Sequence, residues 1–189
     1  MQTFFEYIPD ETARKLIASL ESLMEETPLD RITTSDILEH SGVSRSTFYR
    51  RYRDKYDLLT KNYQILLDAT LGQIQDGLSY KESFFRLYGA LRSRPSFFRN
   101  ALSYSGPNSL REYIFQQSYR SFEHLLRRQE LDMDSPFYQL LLRGYIEGAL
   151  EVTCVWVENG MQEPLDFLFR VSYELMPHEI QIQLALSYL

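Results

Sequence analysis

Arg45, Ser46, Thr47, Tyr49 and Arg50 crowd into six consecutive positions. If those positions are helical, the five side chains share an outer face while Phe48 and Tyr52, four apart, point inward. Guanidiniums, short hydroxyls and a phenol gathered this way suit a DNA major groove. Arg can pair with guanine edges there, and Ser or Thr can hydrogen-bond to bases or phosphates. A solvated basic face is the plainer alternative. Other chemistry-bearing types are sparse. The 3 histidines are scattered, and His40 reads as an outward-facing helix residue. Cys154, the single cysteine, sits in the apolar run from Val152 to Trp156 and reads as a small buried hydrophobe. With no metal-ligand spacing and no phosphate-cradling glycine loop, neither catalysis nor a metal or cofactor is expected.

The elements that must hold the polar face are legible from their caps. Thr33, followed three residues later by Asp36, is a capping-box-like helix start. Ile37, Leu38 and Ser41 continue the inner face, and Gly42 supplies the left-handed conformation that a tight turn demands. Val43 plugs the turn, and Ser44 caps the short helix bearing the polar face. The whole reads as helix, sharp turn, helix over residues 33–52.

Charge is segregated in the same direction. The chain of 189 residues carries a net charge of −6, which on its face argues against a polyanionic partner. Between Ser44 and Lys61, however, six basic residues stand against two acidic ones, a local +4. The composition, 44% apolar, suffices for a substantial core. No run approaches the roughly 20 apolar residues of a membrane helix. The start, Met1 to Glu6, lacks the layout of a secretory signal, so a cytoplasmic protein without membrane contact is expected.

Almost every segment repeats at helical period, and no alternating β pattern of useful length appears, so the fold class is all-α. Helices are predicted over residues 10–26, with Ala13, Leu16, Ile17, Leu20, Leu23 and Met24 as the buried stripe, and over 54–75 after the two motif helices. Further helices are predicted near 80–93, 95–104, 108–130, 135–159 and 164–176, with an apolar tail from His178 to Leu189. Most of the 12 Phe and 14 Tyr follow residue 79, where core packing is their ordinary role.

From about residue 8 to 66 the chain resembles the N-terminal domain of the TetR family of bacterial regulators. The matching residues are Ile32-Thr33, Asp36-Ile37, Ser41-Gly42-Val43-Ser44, Thr47-Phe48-Tyr49, Tyr52, Lys55 and Leu58-Leu59, in order and without a gap. It departs at Tyr52, where Phe is usual, and at Arg51, where His is common. The resemblance implies a three-helix DNA-binding domain over 8–66 and a helical dimerisation and ligand-binding bundle over 67–189. It implies that Thr33 and Thr34 touch phosphate, that Ser44, Arg45, Ser46 and Thr47 open the recognition helix with Arg45 reading a base, that Tyr49 packs on the DNA backbone, and that Lys55 adds a phosphate contact. Arg50 could reach base or phosphate. Phe48, Tyr52 and Ile37 would be core.

A lone reading head covers few base pairs, so a homodimer on a two-fold-symmetric operator is expected. One side of residues 137–159 carries Phe137, Leu141, Gly144, Tyr145, Gly148, Val152, Val155 and Trp156, and Phe167, Leu168 and Val171 extend the theme. Gly144 and Gly148 lie above each other on a helix and would admit a second backbone. Burial within one chain is the alternative. The resemblance further implies an effector pocket, for which Phe84, Tyr88, Phe98, Tyr104, Tyr119 and Phe122 are the candidates. The runs Ser96 to Leu102 and Asn108 to Ile114 resemble the branch containing activators of dihydroxyacetone-kinase operons, some of which answer to a protein partner. The expectation is therefore a sequence-specific regulator, a repressor released by an effector. An activator or coactivator controlled by a partner protein is the second reading, and a helical scaffold without DNA binding the third.

Overall fold

Apolar residues at three- and four-residue spacing lay down the first long helix, and its buried stripe is Ala13, Leu16, Ile17, Leu20 and Met24. In this computed structural model residues 3–128 and 130–181 are described, with side chains for all of these except 75 and 76. Their regular structure is helical throughout. The N-terminal part comprises α1 (Phe4–Tyr7), α2 (Glu11–Met24), α3 (Thr34–Ser41), α4 (Arg45–Tyr49) and α5 (Lys55–Ala69). A 3-10 turn over Leu71–Asp76 then leads to α6 (Tyr80–Arg92), α7 (Pro95–Ser103), α8 (Leu110–Arg128), α9 (Pro136–Glu158) and α10 (Leu165–Glu174). No helix of the described residues is long and apolar enough to cross a membrane. Of the expected apolar tail, residues 178–181 are helical with Ile180 buried, and the remainder lies outside the described residues.

Local chemistry explains the boundaries. Asp10 accepts from the Ala13 amide at 2.7 Å and starts α2. The helix predicted to reach Gln75 stops at Ala69 instead. Thr70 leaves helical geometry at φ −121° and ψ −86°, with its hydroxyl donating to the Leu66 carbonyl at 2.7 Å and its amide to that of Leu67.

One apolar cluster runs from Phe4 through α2, α3, α4 and α5 into α6 and α7 and reaches Trp156 and Leu168. Phe4, outside the helices read from the sequence, is completely buried, with its ring 5.3 Å from Phe98 and 5.8 Å from Phe97. A second cluster joins Tyr80, Leu126, Met133, Leu142, Tyr145, Ile146, Met176 and Ile180. Between the N-terminal helices and the rest, α7 is the polar strut. Asn100 accepts from the Leu29 amide at 3.0 Å and donates to the carbonyls of Met24 (2.9 Å) and Thr27 (3.2 Å). Arg94, at the start of α7, pairs with Glu21 of α2 at 3.4 Å.

Candidate nucleic-acid interface

The helix-turn-helix is built from its caps outward. Thr33 accepts from the Asp36 amide at 3.2 Å while Asp36 accepts from the Thr33 amide at 2.7 Å, closing a reciprocal box at the head of α3. Those hydrogen bonds hold the Asp36 carboxyl below the usual carboxylate range. Gly42 ends α3 with φ 68°, and its amide bonds the Leu38 carbonyl. Ser44 then accepts from the Thr47 amide at 3.2 Å and opens α4. Phe48 is completely buried, Ile37 likewise, and Tyr52 nearly so, which anchors the recognition helix from beneath.

The outer face is as polar as its residue types suggest. Ser44, Arg45, Ser46, Tyr49 and Arg50 are exposed and Thr47 is half-buried. Tyr49 meets the Phe48 ring edge-on at 5.2 Å, so the core beneath sets the direction of its phenol. The Ser44 hydroxyl is engaged locally, donating to Thr47 Oγ1 at 2.8 Å as well as capping. Arg45 donates to Ser35 Oγ at 3.2 Å, a bridge from α4 to the first turn of α3 that the sequence did not suggest. Thr33 is exposed and Thr34 half-buried at the start of α3.

Not every cation of the basic stretch is free. Arg51 is held by Asp10 at 2.6 Å. Asp57, almost wholly buried, receives Arg53 at 3.2 Å, Lys61 at 3.0 Å and the Arg53 amide at 2.9 Å. Burial pushes the Asp57 carboxyl up, but these hydrogen bonds outweigh it and its pKa ends below the ordinary value. Lys55, implied as a phosphate contact, turns inward. Its ammonium donates to the carbonyls of Asp30 at 2.9 Å and Ile32 at 2.5 Å, and only 8% of the residue is exposed. Burial pulls its pKa down, opposed by Asp30, Asp54 and Asp36. Arg45 and Arg50 are the cations on the recognition helix with no carboxylate partner among the described residues.

Residues 16–61 match the bacterial regulatory proteins of the tetR family, and residues 79–178 match a transcriptional regulator C-terminal region that by itself spans more than half of the chain. The chain belongs to the TetR family. A solved structure, the dihydroxyacetone kinase operon activator DhaS, shares the fold with a TM-score of 0.61 over 91% of this chain and 97% of its own, at 17% identity. No curated protein matches in sequence. As a TetR-family member the protein is a DNA-binding transcriptional regulator, with the head just described in the family's N-terminal position.

The regulatory half distributes its sequence-derived candidates unevenly. On α9, Gly144 is exposed, and a Cβ built on Gly144 or Gly148 meets nothing within 4 Å, so no neighbour in the chain requires glycine there. Phe167 is 55% exposed, and Leu141, Val152 and Val171 are half-buried. Three of the residues named as dimer-interface candidates are buried within the chain. Tyr145 meets the Tyr80 hydroxyl at 3.4 Å, Trp156 donates to the Glu163 carbonyl at 3.2 Å beneath the Arg92 guanidinium, and Leu168 is in the core. Tyr145 and Trp156 lie on the side of α9 that meets Tyr80 and Tyr88 of α6. Phe137 and Leu140, 61% and 69% exposed, enlarge the outward patch.

Among the pocket candidates, Phe84, Tyr88 and Phe122 line a cavity between α5, α6, α8, α9 and α10. The other three lie elsewhere. Phe98 is packed among Phe4, Phe97 and Tyr63. Tyr104 stacks on Tyr56 at 4.9 Å and donates to the Pro107 carbonyl. Tyr119 packs beside Phe115. Among the lining residues missed from the sequence, Tyr63, Tyr80, Thr153 and Ser172 come from four different helices and share no local pattern.

Proposed function

We propose that this regulator reads a two-fold-symmetric operator as a homodimer and that an effector acting on residues 67–189 releases it from DNA. One observation carries the reading of DNA: a short helix seated on Phe48 presents Arg45, Ser46, Tyr49 and Arg50 to solvent, with Thr47 half-buried among them. Arg45 is the base-reading candidate, with Arg50 and Tyr49 beside it. Thr33 and Thr34, beside the positive end of α3, are the phosphate-contact candidates. Ser44 serves the interface as the cap that orients the helix. Lys55 contributes by bracing the turn before α3.

The dimer assignment is supported by the outward face of α9 and α10. Phe137, Leu140, Val155, Phe167 and Leu175 are exposed on it. The Gly144–Gly148 step leaves a groove beside Leu141 and Leu175 into which a partner backbone can settle. Covering it would remove a contiguous apolar surface from water. The protein works without catalysis and inside the cytoplasm on this reading. An activating role is the second reading, since the solved relative in fold is an operon activator.

Selection of bound duplexes from a random DNA pool, followed by sequencing, is the test. Enrichment of a site with two half-sites about 10 bp apart, centre to centre, supports a symmetric dimer. Enrichment of a single unpaired half-site refutes the dimeric reading. No enrichment, with binding insensitive to salt, refutes sequence-specific recognition. A reporter under the recovered site separates repression from activation.

A further inference from the structure

The cavity in the regulatory half has a chemistry of its own. Its inner compartment, about 70 Å³, is walled by Tyr63, Tyr80, Phe84, Tyr88, Phe122 and Tyr145 together with aliphatic side chains, and no charged residue lines it. An outer compartment of about 110 Å³ adjoins it across Leu67, Leu71, Tyr80 and Phe122, and reaches the exposed residues Asp68 and Ser121. For comparison, an engineered apolar cavity of about 150 Å³ holds one benzene molecule. The two compartments together therefore suit one ring and not two.

Polar groups inside are hydroxyls. Tyr88 and Thr153 share a hydrogen bond of 2.8 Å, and Thr153 also donates to the Ala149 carbonyl. Ser172 of α10, 2% exposed, brings to the lining a hydroxyl oxygen with no hydrogen-bond partner. An unmatched buried hydroxyl costs free energy, and a ligand group that pairs with it recovers that cost. Burial raises the pKa of Tyr63, Tyr88 and Tyr145, so these phenols stay neutral and offer no charge to a bound ion. The ring walls add flat faces, with Phe84 and Tyr88 stacked at 4.0 Å. A charged group entering the inner compartment would leave water with no counter-charge beside it, which is unfavourable, since Asp68 lines only the outer compartment.

We propose that this cavity takes an uncharged, single-ring aromatic molecule bearing one hydroxyl or carbonyl group, held between the aromatic walls with its polar group on Ser172. The assignment rests on the reading that residues 67–189 bind an effector, and it specifies that effector's chemical class. Ser172 is the specificity-determining residue, since it discriminates a ring with a polar group from a bare hydrocarbon.

The test is calorimetric titration of the full-length protein with four probes of similar size: 4-methylphenol, toluene, benzoate and benzylamine. The expected order is 4-methylphenol tightest, toluene about tenfold weaker for want of one hydrogen bond, and no heat from either ion at the same concentrations. Ser172→Ala, with its helical circular dichroism unchanged, should weaken 4-methylphenol to the level of toluene and leave toluene unaffected. Ala149→Phe, which fills the cavity from α9, should abolish both. Benzoate or benzylamine binding as tightly as 4-methylphenol would overturn the neutral class while leaving an effector cavity in place. Toluene matching 4-methylphenol would overturn the role of Ser172. Binding of none of the four by protein that still binds DNA would remove the cavity as a ligand site.

Discussion

Lys55→Met separates a structural brace from a DNA contact at one residue. The substitution keeps most of the aliphatic stem and removes the ammonium that holds the carbonyls of Asp30 and Ile32. A hydrogen bond to a charged group contributes ~1.5–3 kcal/mol. Two are lost, and the relief of no longer burying an ammonium offsets part of the loss. The net expectation is a decrease of about 2–4 kcal/mol in unfolding free energy, because the turn before α3 loses its tie to α5. Urea denaturation followed by circular dichroism reads this directly. Salt dependence of operator binding supplies the second axis. A lost phosphate contact in each half of a dimer lowers the slope of log affinity against log salt by about 1.8. With Lys55 turned inward, the slope should stay within about 0.5 of the parent value. A variant of unchanged stability whose slope falls by about 2 would refute the reasoning and make Lys55 a phosphate ligand.

Four further outcomes are expected. Arg45→Ala should relax base preference at one position of each half-site by about 1–3 kcal/mol, read by binding to a panel of operator variants; an equal loss on all sequences would make Arg45 a phosphate contact. Asn100→Ala removes three hydrogen bonds between α7 and the turn after α2 and should lower stability by ~1–3 kcal/mol in urea denaturation, whereas a neutral effect would mean water replaces all three. Leu140→Glu places a carboxylate on the exposed face of α9 and should shift sedimentation from dimer to monomer while the helical signal is kept; an unshifted dimer would move the interface elsewhere. Asp10, Asp36 and Asp57 all have depressed folded-state pKa values, so their stabilisation is complete above the unfolded carboxylate value of about 3.9 and is lost as pH falls through the folded values. Stability should therefore decline below about pH 4, and less steeply in Asp57→Asn; an equal decline in both would remove Asp57 from this account.

The reading head was legible because its determinants are local. A cap acts across three residues, as at Thr33–Asp36 and Ser44–Thr47, and a glycine turn acts at one, so spacing alone specifies them. The inward placement of Ile37, Phe48 and Tyr52 follows from the helical period in the same way. The missed break at Thr70 left no mark in periodicity, because the apolar spacing runs on through Leu71 beyond the residue where the backbone leaves the helix. Phe4 was missed because a single-turn helix has no period to detect.

By itself, then, the chain's sequence determined the all-helical class, the caps and turn of the motif and the polar face of the recognition helix, since each depends on residues within about one helical turn of one another. Tertiary structure decided which charges remain available and which rings meet the cavity. Asp10 withdraws Arg51 and the Asp30–Ile32 turn withdraws Lys55, both across stretches that periodicity cannot connect. Tyr145 and Trp156 share a stripe with Gly144 and Val152, yet the packing of neighbouring helices turns the first two inward. Aromatic residues look alike along a helix; only the crossing of α5, α6, α8, α9 and α10 divides them into those that fill the core, such as Phe98, and those that border the cavity, such as Tyr88.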